Sequence, residues 1–349
     1  MRKKVAASMV AATLAMTMSA CSEPEGASSQ APQSNATLNI ACSQQEDFCQ
    51  KITAAFEKAT GITSTYVRLG AGEVLARLQT ATGEFDVWSG GQAENHLLAN
   101  DRGFVVPYVS PNASKLDAQY NDASGVWSGF YTDSVAFCSN TKELAKLGVD
   151  APTSWDDLIA PELKGQVSMA HPATAGLGYM ALFTVDTLKG GDQAATIDYF
   201  KKLNTNVMQY SRSAATGTEM AGRGEVAVSI AFDSDCVKAK KAGMSDLVLT
   251  YPGEGTGYEV GAVSLLKDAR NPEGAKKYMD WILTPEAQDL YGDVPSFAAP
   301  TLSDAKLGAD VPPQNTVKKV DWNTRQASDK REGFIKAFND EVASDSKAK

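Results

Sequence analysis

The chain has 349 residues, 43% hydrophobic and 21% charged, with a formal net charge of −9. That fits a soluble globular protein of one large or two medium domains, long enough for two separate cores. The acidic balance argues against nucleic acid as a partner, because phosphate backbones are bound through Lys and Arg.

Residues 1–20 differ from the rest. Arg2, Lys3 and Lys4 precede an apolar stretch over 5–18, then small residues and Cys21. The pattern predicts a secretory signal, too short for a membrane span. Cys21 after small residues resembles the bacterial lipobox, with Met18 where Leu is usual; that resemblance implies cleavage before Cys21 and lipidation of its thiol. Removing residues 1–20 takes the net charge from −9 to −12. Residues 21–36 are rich in Ser, Glu, Pro, Gln and Ala. Such a segment has too few apolar side chains for a core and is expected to act as a tether.

Four cysteines remain, Cys42, Cys49, Cys138 and Cys236, and an even number in an exported chain favours disulfides. Cys42 and Cys49 are close enough to join a strand end to the first turns of a helix. Cys138 with Cys236 follows by elimination. The spacings match no zinc pattern.

Taken in order, residues 37–42 predict a strand and 48–60 an amphipathic helix ended by Gly61. A strand over 62–67, a turn at 68–73, a helix over 74–80 and a strand over 85–88 follow, the last ending in Ser89-Gly90-Gly91. The glycines Gly70 and Gly72 alone are weak evidence for a dinucleotide site. Residues 126–140 form a long strand-like run, and Ser154 with Asp157 forms a capping box for a short helix. A strand at 167–170 ends in a small polar turn that leads to an apolar helix over 177–188. Residues 207–235 repeat the pattern twice: Val207 and Met208 meet Ser211, Arg212 and Ser213, a helix runs to Arg223, and a strand over 226–232 ends at Asp233, Ser234 and Asp235. Strands at 247–251 and 258–266, helices from 272 to 282 and from Pro285, and a charged helix over 332–344 complete the chain.

Repeated strand, turn and helix predict an α/β fold with parallel sheets. The carboxyl ends of such strands, beside helix N-termini, are where small polar or anionic ligands sit. Both polar turns of 207–235 are therefore expected to face one opening.

Several segments, in order, resemble the substrate-binding proteins of bacterial ABC importers, in the group that takes ferric iron, sugar phosphates, aminoethylphosphonate or thiamine. They include Cys42-Ser43-Gln44, Asp86-Val87-Trp88-Ser89-Gly90-Gly91, Thr153-Ser154-Trp155-Asp156-Asp157-Leu158, residues 172–179, Gln209-Tyr210-Ser211-Arg212-Ser213 and Gly255-Thr256-Gly257-Tyr258-Glu259. The resemblance implies a type II periplasmic-binding-protein fold: two α/β lobes, each a mainly parallel sheet flanked by helices, with the ligand cleft between them. Lobe one would comprise residues 37–132, lobe two 133–256, and 257–349 would return to lobe one and add the C-terminal helices.

The implied ligand set is Ser43, Gln44, Gly90, Thr174, Ala175, Gly176, Ser211, Ser213, Ser234, Asp235 and Glu254, with Arg68 and Arg212 available to neutralise an anion. Ser43, Thr174, Ser211 and Ser213 would take a phosphate, and Asp235 and Glu254 hydroxyls or an ammonium. The plainer alternatives are an N-cap carboxylate for Asp235, a turn residue for Glu254 and solvated cations for the arginines. Ferric iron is the runner-up ligand. Relatives that bind it use adjacent tyrosines, and residues 229–235 have none; Asp233, Asp235 and Glu254 would have to serve. A secreted hydrolase would need a nucleophile elbow, and the chain has no G-x-S-x-G.

The expectation is a monomeric lipid-anchored receptor outside the cytoplasm, at the cell surface or in the periplasm. It would need no cofactor or metal and would deliver a small anionic solute to an ABC permease.

Overall fold

The computed structural model describes residues 37–293 and 296–343. The expected signal, Cys21 and the tether lie outside the described residues, as does the last residue of the expected helix over 332–344. No described helix is long and apolar enough to cross a membrane.

Three strand–helix units open the described chain: β1 (Leu38–Cys42) with α1 (Glu46–Thr60), β2 (Ser64–Arg68) with α2 (Ala71–Thr80), and β3 (Val87–Gln92) with α3 (Ala93–Asp101). Phe48, Ile52 and Phe56, spaced four apart, bury one face of α1. β1 runs parallel to both β2 and β3. The 13-residue β4 (Ser128–Asn140) is buried along its whole length. After it come α4 (Thr141–Leu147), β5 (Val167–Ala170), α5 (Gly176–Leu188), α6 (Gln193–Asn206), β6 (Val207–Ser211), α7 (Ala214–Gly222), β7 (Val228–Phe232), α8 (Asp233–Lys241) and β8 (Leu247–Thr250). The chain then adds β9 (Tyr258–Leu265), α9 (Pro272–Ile282), α10 (Pro285–Gln288), α11 (Leu290–Asp293), β10 (Ala299–Pro300) and α12 (Thr324–Glu341).

The strand order is β2-β1-β3-β9-β4-β7-β5-β6. Its flanks, β2-β1-β3 and β7-β5-β6, are parallel, as expected; the centre is antiparallel, with β9 against β3 and β4, and β4 against β7. β4 is shared. Its residues up to Ser134 pair with β9, and from Val135 it pairs with β7. Two sets of core side chains flank this changeover, one around Phe48, Phe56, Phe130 and Tyr278, the other around Tyr179, Phe183, Phe200 and Phe338. The fold is thus a two-lobed α/β architecture with a mixed sheet.

Both expected disulfides are present, Cys42–Cys49 with Cα atoms 6.0 Å apart and Cys138–Cys236 at 5.6 Å. The capping box also forms. Asp157 N–H donates to Ser154 Oγ at 3.1 Å and Asp157 Oδ2 accepts from the Ser154 N–H at 2.9 Å, although the helix it starts is a single 3-10 turn.

Five elements depart from the sequence reading. Asp233, Ser234 and Asp235 form the first turn of α8 instead of a loop, which puts two acidic residues at the positive end of a helix. α3, α4 and α6 were not anticipated; Ile197, Phe200 and Leu203 are buried on α6. α12 starts at Thr324, eight residues earlier than expected, with the Asn323 side chain accepting from Gln326 N–H at 2.9 Å. Ala327, Phe334 and Phe338 of α12 bury into the core of the second lobe, while Arg325 pairs with Asp101 of α3 at 2.5 Å, so the C-terminal helix packs on both lobes.

Candidate functional site

A cavity of about 550 Å³ lies between the lobes. From the first lobe, β1 ends at Cys42 and the disulfide to Cys49 holds the turn that carries Ser43, Gln44 and Gln45. The Ser43 hydroxyl accepts from Trp88 Nε1–H at 2.9 Å, and Gln44 Oε1 accepts from the Tyr291 hydroxyl at 3.0 Å. Gln44 Nε2 is buried with no partner. Gly90 supports this turn from behind: its φ is +90°, and a Cβ there would lie 2.7 Å from Gln44 Cγ. Arg68 donates through Nε to the Gln44 carbonyl at 2.9 Å, which pins its guanidinium at the rim.

From the second lobe, Thr174 and Ala175 precede α5, Arg212 and Ser213 precede α7, and Ser234 and Asp235 lie in the first turn of α8; all line the cavity, as does Gly176. The start of α2 in the first lobe also lines it, but there the Glu73 carboxylate accepts the Gly70 N–H at 2.7 Å, so two uncapped helix starts, α5 and α7, stand with Arg68 and Arg212 around the cavity. Helix N-termini and guanidinium groups both favour negative charge. The two polar turns of 207–235 do face one opening.

The floor has the opposite character. Asp133 on β4 and Glu259 on β9 are cross-strand partners, and both line the cavity with Asp235. All three are more than nine-tenths buried. Burial pushes the Asp235 carboxyl up to about 6, against the pull of the Lys238 ammonium. Burial likewise takes Glu259 to about 7, although the Tyr131 hydroxyl and Gln92 Nε2–H donate to it. Asp133 is raised well above the ordinary aspartate range by burial and by the neighbouring Asp233 and Glu259. Gln45 Nε2–H donates to Asp235 Oδ1 at 3.3 Å, while Asp235 Oδ2 and Asp133 Oδ1 have no partner. Gln44 Nε2, Asp133 Oδ1 and Asp235 Oδ2, on residues that line the cavity, are therefore buried without a partner, which is costly.

Three expected residues lie outside the cavity lining. Gly90 acts through Gln44. Ser211 donates its hydroxyl to the Ser213 carbonyl at 2.8 Å and so closes its own turn. Glu254 accepts the Trp155 N–H at 2.6 Å, where it caps the following 3-10 turn, as the plainer alternative anticipates. Asp233 is likewise consumed, accepting from Ser134 and Ser234 N–H, Tyr251 and Gln314. Among the described residues no three His, Cys, Asp or Glu side chains are grouped to hold a metal.

The sequence reading missed Gln45, Gln92, Tyr131, Asp133 and Glu259. A signal for the last two was present: single acids inside the apolar runs FYTDSVAFC and YEVGAVSLL. A charge in a buried strand needs a reason.

The model of the family described as bacterial extracellular solute-binding protein matches residues 93–326. The chain belongs to that family. This solute-binding protein is 32% identical to AfuA of Actinobacillus pleuropneumoniae, a periplasmic binding protein whose structure holds exogenous fructose-6-phosphate. The match covers 88% of the present chain and 98% of that one, with a TM-score of 0.84. A putative 2-aminoethylphosphonate-binding periplasmic protein of Salmonella typhi is 27% identical over 264 residues, 72% of the present chain and 73% of that protein. A ferric binding protein from Campylobacter jejuni, 19% identical with a TM-score of 0.75, covers 87% of the present chain and 98% of its own, and shares the fold.

Proposed function

We propose that this solute-binding protein captures a small organic phosphate or phosphonate and delivers it to a membrane permease. The phosphoryl group would sit at the rim and a hydroxyl- or ammonium-bearing head on the floor. The observation that carries this reading is the division of one cavity into a cationic end, with Arg68, Arg212 and the starts of α5 and α7, and a floor of buried carboxylates with unpartnered oxygens. Ser43, Thr174, Ala175, Gly176 and Ser213 line the cavity for the anion; Gln44, Gln45, Asp133, Ser234, Asp235 and Glu259 line it for the head. A carboxylate accepts from hydroxyls and from an ammonium alike. AfuA with its sugar phosphate and the Salmonella typhi aminoethylphosphonate relative represent both kinds of head.

The wider reading keeps the lipid anchor at Cys21, an extracytoplasmic and monomeric protein, and binding without turnover. The residue bounds 37–132, 133–256 and 257–349 also stand as our division of the lobes. The change of partner along β4 supports it to within two residues, and α12 is the exception. Nothing at the site favours iron over this reading: β7 ends in Phe232 where a tyrosine pair would be wanted.

Thermal unfolding of the mature protein with sugar phosphates, aminoethylphosphonate, inorganic phosphate, thiamine and ferric citrate tests the proposal. A true ligand at about 100 times its Kd adds roughly 2.7 kcal/mol. For a protein of this size that is a rise in Tm of about 4 °C. A rise with ferric citrate alone, with a visible charge-transfer band, would sink the proposal.

A further inference from the structure

The two lobes touch around the cavity at points that need no solute. Asp47 and Lys238, on α1 and α8, pair at 2.8 Å across the cleft. On the floor, Gln92 of the first lobe lies against Gly176, the first residue of α5 in the second. A Cβ built on Gly176 would stand 2.0 Å from both Nε2 and Oε1 of Gln92, where ordinary contact begins at 3.4 Å. The amide is not free to swing aside. Its Nε2–H donates to Glu259 Oε2 at 2.9 Å, its Oε1 accepts from Asn95 Nδ2–H at 2.9 Å, and the side chain is buried.

The backbone gives no reason for glycine here. Gly176 is not among the glycines with positive φ, and it sits in a helix, where alanine is the better helix former. Glycine is required only because the other lobe arrives at this point. We propose that Gly176 is the residue that lets the lobes close, a positioning residue for solute capture: it admits the Gln92 amide onto the start of α5, which brings Glu259 and the α5 N–H groups to the same cavity. This extends the proposed function, and only the affinity arm of the test rests on it.

Zero-length carbodiimide coupling of Asp47 to Lys238, read by mass spectrometry on the unliganded protein, reports the closed arrangement. Lys142 with Asp246, 2.8 Å apart within the second lobe, is the internal reference. Gly176→Ala is expected to lower the Asp47–Lys238 yield about fivefold or more against that reference, with Tm held or raised, since the new methyl meets no neighbour once the lobes part. Adding Gln92→Ala removes the obstructing amide and is expected to restore coupling. Parent-like coupling in Gly176→Ala, or a double variant no better than the single one, overturns the proposal. With a solute in hand, Gly176→Ala should raise Kd about tenfold or more, while the double variant binds as Gln92→Ala alone. Additive losses in that cycle also overturn it. If no solute in the panel binds, the coupling arm still decides the role of Gly176.

Discussion

Replacing Cys138 and Cys236 together by alanine is expected to cost about 4 to 5 kcal/mol, against about 2 kcal/mol for the pair Cys42 and Cys49. The two disulfides close loops of very different length, 98 and 7 residues apart in sequence, and the unfolded chain loses more freedom to the longer one. The larger figure is a big fraction of what holds a domain folded, so that variant should be largely unfolded near 37 °C. Urea unfolding of both variants checks the order. Equal losses, or a long-loop variant within about 1 kcal/mol of the parent, would refute it. The smaller loss should be the more costly for binding, because the short loop carries Ser43, Gln44 and Gln45.

Asp235→Ala is expected to weaken capture of a hydroxyl- or ammonium-bearing solute about 10- to 100-fold, the usual worth of hydrogen bonds to a charged group. Asp235→Asn should flatten the pH dependence of binding. In the parent, affinity rises as pH passes about 6 and Asp235 ionises. Titration calorimetry of the two proteins between pH 5 and 8 isolates this step, since ionisation of the solute is common to both. The unliganded fold should respond with the opposite sign. Asp235 at about 6, Glu259 at about 7 and Glu94, which burial on α3 likewise pushes up to about 7, all titrate above the ordinary carboxyl value of roughly 4. The native state therefore keeps protons that the unfolded chain has released. The stability these groups confer is complete below about pH 4 and is lost as pH rises through 6 to 7. A urea midpoint that rises over that window would contradict the buried carboxylate floor.

Much of the architecture was legible because apolar periodicity and turn chemistry are local. The first two strand–helix units, α9 and the Ser154–Asp157 capping box all lie where hydrophobic spacing, Pro, Gly or an N-cap residue puts them. α6 and the start of α12 were missed for the converse reason. The first turns of α12 are polar on the surface, and their few buried residues, Ala327, Ser328 and Arg331, make sense only against α3, α5 and α6.

By itself the sequence determined the α/β class and the cysteine partners, since strand ends and helix starts are properties of neighbouring residues and the close pair Cys42 and Cys49 leaves Cys138 and Cys236 to each other. Only the tertiary structure decided the floor. Asp133 and Glu259 lie 126 positions apart and meet because β4 and β9 pair antiparallel across the middle of the sheet. The same folding took Glu254 and Asp233 out of the reckoning by giving their oxygens backbone and side-chain donors elsewhere. It also gave Gly176 its reason: a methyl group is excluded there by a glutamine 84 residues earlier, on the opposite lobe.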